Sequence, residues 1–257
     1  MNDRTIDKAA HLLLEVRREG RQLEALPEAC RPTDLDDANA VRQRLVELLG
    51  VGTCGWFLGG TNDSEVIPVA YAAPILDGNL HVSPAELSAQ EFVTFEVDVE
   101  FGFRTACDIP PGEREFNDEE TASLIASLHP TLDIVNSHFV DLESVGWPSI
   151  VADNGTDGAV VYGPGVETWS PDELPDHEAT LYVNGAPILS GTGRKIMGNP
   201  LSAFTWFVNY MSGTGQTVPA GTFVSTGSCT EVYAGVIGDH VKADFGALGS
   251  VEARYVA

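Results

Sequence analysis

Thr94-Phe95-Glu96-Val97-Asp98-Val99-Glu100-Phe101-Gly102-Phe103 is the stretch that decides the fold class. Polar and apolar residues alternate through it without a fault, which is the period of a β-strand, so Glu96, Asp98 and Glu100 project from one face. A strand whose polar face meets water explains that alternation by itself. Three carboxylates in a row also repel one another, and more strongly as solvent is excluded. A hard cation resolves the repulsion, and oxygen-only ligands suit Mg²⁺ or Mn²⁺ better than Zn²⁺. A further acid sits in the apolar run Thr131-Leu132-Asp133-Ile134-Val135. Burying Asp133 there is costly unless it is paired or ligated, and both readings stay open.

Outward from this strand, residues 52–257 read as short runs bounded by Gly, Pro and Asn. Strands are expected at 54–58, 92–103, 131–137, 158–162, 178–183, 186–190, 221–225, 240–245 and 249–256. Asn184-Gly185 between two of them is a hairpin signal. Helices are expected near 117–127, after Asn117, and over 200–211, after Asn199-Pro200. Before residue 50 the period is helical: Ala9, Leu12, Leu13 and Val16 recur at helix spacing, as do Val41, Leu45, Leu48 and Leu49 after Pro32-Thr33-Asp34. The pattern predicts one α+β domain over 1–257, with a helical N-terminal cap (1–50) and a β-rich body (51–257).

Acidic residues outnumber basic ones 38 to 14, a net charge of −24. That balance argues against nucleic acid or an anionic membrane as partner, since both call for clustered Lys and Arg. It fits a solvated surface that keeps an oligomer soluble, or adaptation to salt. Cys30, Cys54, Cys107 and Cys229 are widely spaced, with no Cys-x-x-Cys pair. Reduced thiols and a cytoplasmic location are expected. The apolar run Ala9 to Leu14 is broken by His11 and is neither a signal peptide nor a membrane span.

Short motifs then follow one another in a telling order. They are Leu26-Pro27 with Arg31-Pro32, Glu-x-Asp-x-x-Phe at 96–101, Pro-x-x-Asp-Ile-Val-x-Ser at 130–137 and Ala-Asp-Asn at 152–154. Gly-x-Pro at 198–200, Thr-Gly-Ser at 226–228, Gly-Asp at 238–239 and Phe-Gly-x-Leu-Gly-Ser-Val at 245–251 continue the series. In order and spacing, over nearly the whole chain, this resembles the fumarylacetoacetate hydrolase superfamily, in its branch of 2-hydroxypenta-2,4-dienoate hydratases and 4-oxalocrotonate decarboxylases. The resemblance implies a mixed β-sheet roll or barrel core, a homo-oligomer and a small-molecule substrate.

It also implies a metal site for Mg²⁺ or Mn²⁺ at Glu96, Asp98 and Asp133, of which the two Asp stand where the hydratases usually carry Glu. Each shorter arm draws its oxygen back by roughly 1.5 Å. Phe57, Leu58, Thr226 and Ser228 fall where the family binds substrate. The family's catalytic lysine, in Gly55-Trp56-Phe57-Leu58-Gly59-Gly60-Thr61, is replaced by Phe57, and its aspartate by Ala70. Replacement proton carriers are sought in Lys195, Arg194, His138 and Glu100. Arg194 and Lys195 stand where the family has small residues, and a surface pair balancing an acidic chain explains them equally. His138 stands at a usual Arg and Glu100 at a usual Ala, and structural roles are open for both.

Gly193-Arg194-Lys195-Ile196-Met197-Gly198 lacks the Lys-Ser/Thr that a phosphate loop needs, and no Gly-x-Ser-x-Gly or His-Glu-x-x-His occurs. The function the resemblance implies is a metal-dependent, hydratase-like lyase acting on a 2-oxo or 2-hydroxy-dienoate acid through an enolate that the metal stabilises. Vinylogous decarboxylation, keto–enol tautomerisation, or a repurposed paralogue, either an enzyme of specialised metabolism or a non-catalytic subunit, are the alternatives.

Overall fold

A computed structural model describes residues 1–62 and 66–257. The N-terminal helices form where capping and apolar period agree. Helix α1 (Asp3–Glu19) starts on a reciprocal cap between Asn2 and Thr5 and stops at Gly20, whose φ of 60° ends the helix in the left-handed region. Helix α2 (Leu35–Leu49) starts on the Asp34 carboxylate and stops at Gly50. Ala9, Ala10 and Leu13 of α1 and Val41 and Leu45 of α2 are fully buried, and they share one core cluster with Phe57, Tyr71, Ala73 and Ile75.

Strands β1 (Thr53–Gly59), β2 (Tyr71–Leu76), β3 (Leu80–Val82), β4 (Ala85–Ser88) and β5 (Glu96–Thr105) come next. A short helix α3 (Asp118–Ala122), the long strand β6 (Ile125–Val135), helices α4 (Leu142–Val145) and α5 (Trp147–Ala152), and strand β7 (Asp157–Tyr162) follow. The chain continues with β8 (Glu178–Val183), β9 (Ala186–Thr192), α6 (Pro200–Gly213), β10 (Phe223–Ser228), β11 (Tyr233–Ala234), β12 (His240–Asp244) and β13 (Ser250–Val256).

Among the described residues the strands form two sheets. One runs β2-β1-β10-β5-β6-β7-β3, with β11 also on β5, and the other runs β4-β13-β12-β8-β9. Parallel pairs (β1 with β10, β3 with β7, β4 with β13) sit among antiparallel ones, so the core is mixed, as the α+β expectation has it. The Asn184-Gly185 turn has φ of 51° and 85° and closes β8 onto β9, the positive-φ pair that this hairpin requires. Phe101, Phe103, Phe204, Phe207 and Phe245 fill the core around the β5–β6 ribbon.

Several boundaries depart from the sequence expectations. The helix expected to 127 ends at Ala122, and β6 begins at Ile125 and runs through Pro130. β6 is buried from Leu128 to Ile134, so it shows no alternation to be read. β5 begins at Glu96 rather than 92, because Ala89–Glu91 forms a helical turn first. Strands β2, β3, β4 and β11 and helices α4 and α5 were not expected at all.

Candidate active site

The site is built on the register of β5 against β6. Glu96 pairs with Val135, Asp98 with Asp133 and Glu100 with Thr131. Directly opposed residues share a face, with Cβ atoms about 4.5–5.5 Å apart. Asp133 therefore stands beside Asp98 on the face that Glu96 and Glu100 also use. All four acids line one cavity of about 640 Å³, together with Phe57, Leu58, Tyr71, Ser228 and Lys195.

The electrostatics of this floor are unfavourable as it stands. Burial pushes Asp98 up to about 6, against the pull of a Ser228 hydrogen bond and with a further push from Glu96. Burial and then Asp98 raise Glu100, although its Oε2 accepts from the Ser225 hydroxyl at 2.5 Å and the Gly227 amide at 2.9 Å. Asp133 is held well above the carboxylate range by burial, then by Glu100, Asp98 and Asp157. Asp98 Oδ1 is enclosed and has no hydrogen-bond partner among the described residues.

These donors fit a hard divalent cation in kind: oxygen only, mutually repelling, and with one orphaned buried oxygen. As the side chains lie, no three His, Cys, Asp or Glu groups among the described residues are gathered closely enough to hold an ion. The fit therefore rests on the register and the donor chemistry. Each of these acids resists ionising beside the others, and a cation is what would let them ionise together.

The other sequence candidates divide. Phe57, the residue that the resemblance aligns with the family's lysine, is 5% exposed and meets Tyr71 edge-on at 6.5 Å between ring centroids. Leu58 and Ser228 also line the cavity. Lys195 sits at its rim, its Nζ donating to the Thr230 carbonyl at 2.8 Å and to Glu231 at 2.6 Å. Arg194 is not among the described lining residues. The turn Gly193–Lys195 throws it outward, 62% exposed, onto Asp176. Thr226 is on the far side of β10, its hydroxyl donating to the Phe101 carbonyl at 2.8 Å.

His138 is likewise withdrawn. Its Nδ1 lies 3.1 Å from Asp153 Oδ2, in a buried network where Arg17 donates to Asp153 Oδ1 at 2.8 Å and to Asp157 Oδ1 at 2.6 Å. This ties α1 to the turn at 154–156 that walls the cavity. Gly155 in that turn has φ 65°, and a Cβ there would come within 2.7 Å of Tyr71 and 3.0 Å of Phe57. Sequence reasoning missed Tyr71, whose hydroxyl is held strongly in the protonated form by burial and by Asp133. It also missed Ser225 and Gly227, which fix Glu100. The one signal for Tyr71 was its place next to Ala70, the position of the absent family aspartate.

Residues 81–256 match the family model described as "Fumarylacetoacetate (FAA) hydrolase C-terminal". The chain belongs to the fumarylacetoacetate hydrolase family. Within that family, 4-oxalocrotonate decarboxylase of Pseudomonas putida is 30% identical over 127 residues, 49% of this chain and 48% of that protein. That match thus spans about half the length of the decarboxylase. A 2-keto-4-pentenoate hydratase of Paraburkholderia xenovorans is 24% identical over 261 residues, covering 97% of this chain and 94% of the hydratase. The solved structure of 4-oxalocrotonate decarboxylase from P. putida G7, complexed with magnesium and adipate, superposes with a TM-score of 0.87 at 19% identity. The superposition covers 100% of this chain and 99% of the decarboxylase, so the core has the fumarylacetoacetate hydrolase fold.

Proposed function

We propose that this family member is a divalent-metal-dependent lyase that adds water to a 2-oxo or 2-hydroxy-dienoate acid. The observation that supports it best is the in-register pair Asp98 and Asp133, flanked by Glu96, with Asp98 Oδ1 left unpartnered at the floor of a cavity. Glu96, Asp98 and Asp133 would hold Mg²⁺ or Mn²⁺; the related decarboxylase is solved in complex with magnesium. When bound, the cation supplies Lewis-acid polarisation of the substrate's 2-oxo group.

The chain's own groups do the rest. Lys195 places a positive charge at the rim of a strongly acidic cavity and draws in an anionic acid. Glu100, aimed by Ser225 and Gly227, takes and returns a proton along the carbon chain. Tyr71 keeps its proton and donates a hydrogen bond. Phe57, Leu58 and Ile150 present apolar surface to the carbon chain, so a substrate larger than the simple dienoate suits the site.

A second reading is vinylogous decarboxylation. Phe57 favours it, because loss of CO₂ leaves a carbanion to protonate but no water to activate. The test supplies Mg²⁺ or Mn²⁺ with 2-hydroxypenta-2,4-dienoate, with larger 2-oxo-4-enoates and with 4-oxalocrotonate, following ultraviolet absorbance and CO₂ release. The expected result is slow hydration of the simple dienoate, raised about 10²–10⁴-fold by Phe57→Lys and lowered as much by Glu100→Gln. CO₂ release without hydration selects the second reading. Inactivity of every variant on every acid selects a non-catalytic subunit.

Assembly into a homo-oligomer belongs to the same reading, motivated by exposed Val232, Val236 and Ile237 at 50%, 63% and 58%. A monomer by light scattering would refute that part. Four free thiols suit the reducing cytoplasm, and among the described residues no helix is long and apolar enough to cross a membrane.

A further inference from the structure

Adjacent residues of β1 point to opposite sides of the sheet. Phe57 lines the acidic cavity, whereas Trp56 lines a different one, of about 770 Å³, between α2, β1 and the C-terminal half of α6. Arg42, Asn39, Tyr210 and Met211 line it as well. This volume is within the ordinary range for small-molecule sites.

The wall chemistry is unusual for this chain. Arg42 is 8% exposed and, among the described residues, is the buried cation with no carboxylate in ion-pair contact. In a protein with 38 acidic residues against 14 basic ones, leaving a buried guanidinium without an acid is a costly arrangement. A guanidinium carries five N–H donors. One nitrogen donates to the Ala72 carbonyl of β2, and the Tyr210 hydroxyl is a further hydrogen-bond partner of the guanidinium. Two partners do not exhaust five donors, and Arg42 lines the cavity. Asn39 Oδ1, on the turn of α2 before Arg42, is enclosed and has no donor among the described residues. The indole of Trp56 and the ring of Tyr210, itself stacked on Trp206 at 5.1 Å, give flat apolar walls.

We propose that this cavity binds a small planar carboxylate bearing a hydroxyl. The carboxylate pairs with Arg42, a rotation of the Asn39 amide brings its unpartnered Oδ1 onto the hydroxyl, and the planar body lies against Trp56 and Tyr210. An arginine fork matches a carboxylate in two parallel hydrogen bonds, and an aromatic face suits a flat anion better than an aliphatic one. Because Trp56 and Phe57 are neighbours in one strand, and Arg42 is bonded to β2 beside Tyr71, an occupant here touches the same two strands that wall the acidic cavity. The binding itself does not depend on the reaction proposed for that cavity.

The probe is 3-hydroxybenzoate, titrated into the full-length protein by calorimetry and by quenching of tryptophan fluorescence. Benzoate and phenol are the partial probes. The expected result is saturable binding of 3-hydroxybenzoate, about tenfold or more weaker for benzoate and absent for phenol. Trp56→Leu and Asn39→Ala should each weaken it about tenfold, and Arg42→Met should abolish it. Circular dichroism checks that each variant is folded. If Arg42→Met does not fold, Asn39→Ala and Trp56→Leu decide alone. Asp98→Asn, in the other cavity, should leave the affinity unchanged. No binding at about 10 mM probe, a range weaker than most specific sites, overturns the proposal. Binding that Asp98→Asn abolishes and Trp56→Leu leaves intact overturns it too.

Discussion

Replacing Arg17 by Met tests the network that fastens α1 to the cavity wall. Arg17, Asp153 and Asp157 are 11%, 0% and 6% exposed at their side chains, so the triad is shielded from solvent. Methionine keeps much of the side-chain length but leaves two buried carboxylates with only His138 nearby. Removing one partner of a buried pair costs roughly 3–5 kcal/mol. For a chain of this size that is a fall of roughly 6–20 °C in melting temperature. The loss should depend on pH in a definite direction. In the wild type, burial alone would raise Asp153, but Arg17 and His138 outweigh it and hold it below its ordinary value. A depressed carboxylate contributes stability above its unfolded pKa, near 3.9, and loses it only as pH falls through the lower folded value. The wild-type contribution is therefore flat between about pH 5.5 and 7.5. In Arg17→Met burial prevails, the folded value rises, and the penalty grows as pH rises through it. Thermal or urea unfolding followed by far-ultraviolet circular dichroism should show a larger deficit at pH 7.5 than at pH 5.5. The raised acids of the cavity are common to both proteins and cancel in the difference. A deficit below about 1 kcal/mol, or one equal at both pH values, would refute the reasoning.

Asp98→Asn should weaken Mn²⁺ or Mg²⁺ binding at least about tenfold by calorimetry, yet stabilise the metal-free protein in EDTA by about 1–2 kcal/mol, since it removes one of four crowded carboxylates. Loss of stability in EDTA would count against the repulsion argument. Gly227→Ala puts a Cβ 1.9 Å from the Thr61 hydroxyl at a residue with φ 100° and disturbs the amide that holds Glu100. It should cost about 2–5 kcal/mol by denaturant unfolding and lower turnover further in whatever remains folded. Wild-type stability in that variant would mean that β10 has room it does not show.

What was legible in the sequence was what a single strand or helix face determines by itself. The alternation at 94–103 gave Glu96, Asp98 and Glu100 a common face, and the apolar flanks of Asp133 marked it as buried. β2 was illegible because Tyr71-Ala72-Ala73-Pro74-Ile75-Leu76 is buried throughout and contains a proline. The sheet tolerates Pro74 because β2 is an edge strand, paired with β1 on one side. Tyr71 was lost with it. His138 looked like a free base because its partner Asp153 lies 15 residues on and across a turn, a contact that no local period encodes. Arg194 and Lys195 are neighbours in sequence, but a helical turn separates their directions. Their division between solvent and rim is a matter of backbone dihedrals, which composition does not reveal.

The Arg17 network also sets an order of events during synthesis. Its two carboxylates follow the arginine by 136 and 140 residues. At ribosomal speeds of roughly 5–20 residues per second, α1 waits about 7–30 s before its partners exist. Through that interval its stripe of Ala9, Leu13 and Leu14 has α2 to lie against but not the strands and turn that enclose it in the finished protein. Helix α1 is thus fastened late, and a nascent chain stalled before Asp153 should expose a sticky hairpin of α1 and α2 to chaperones.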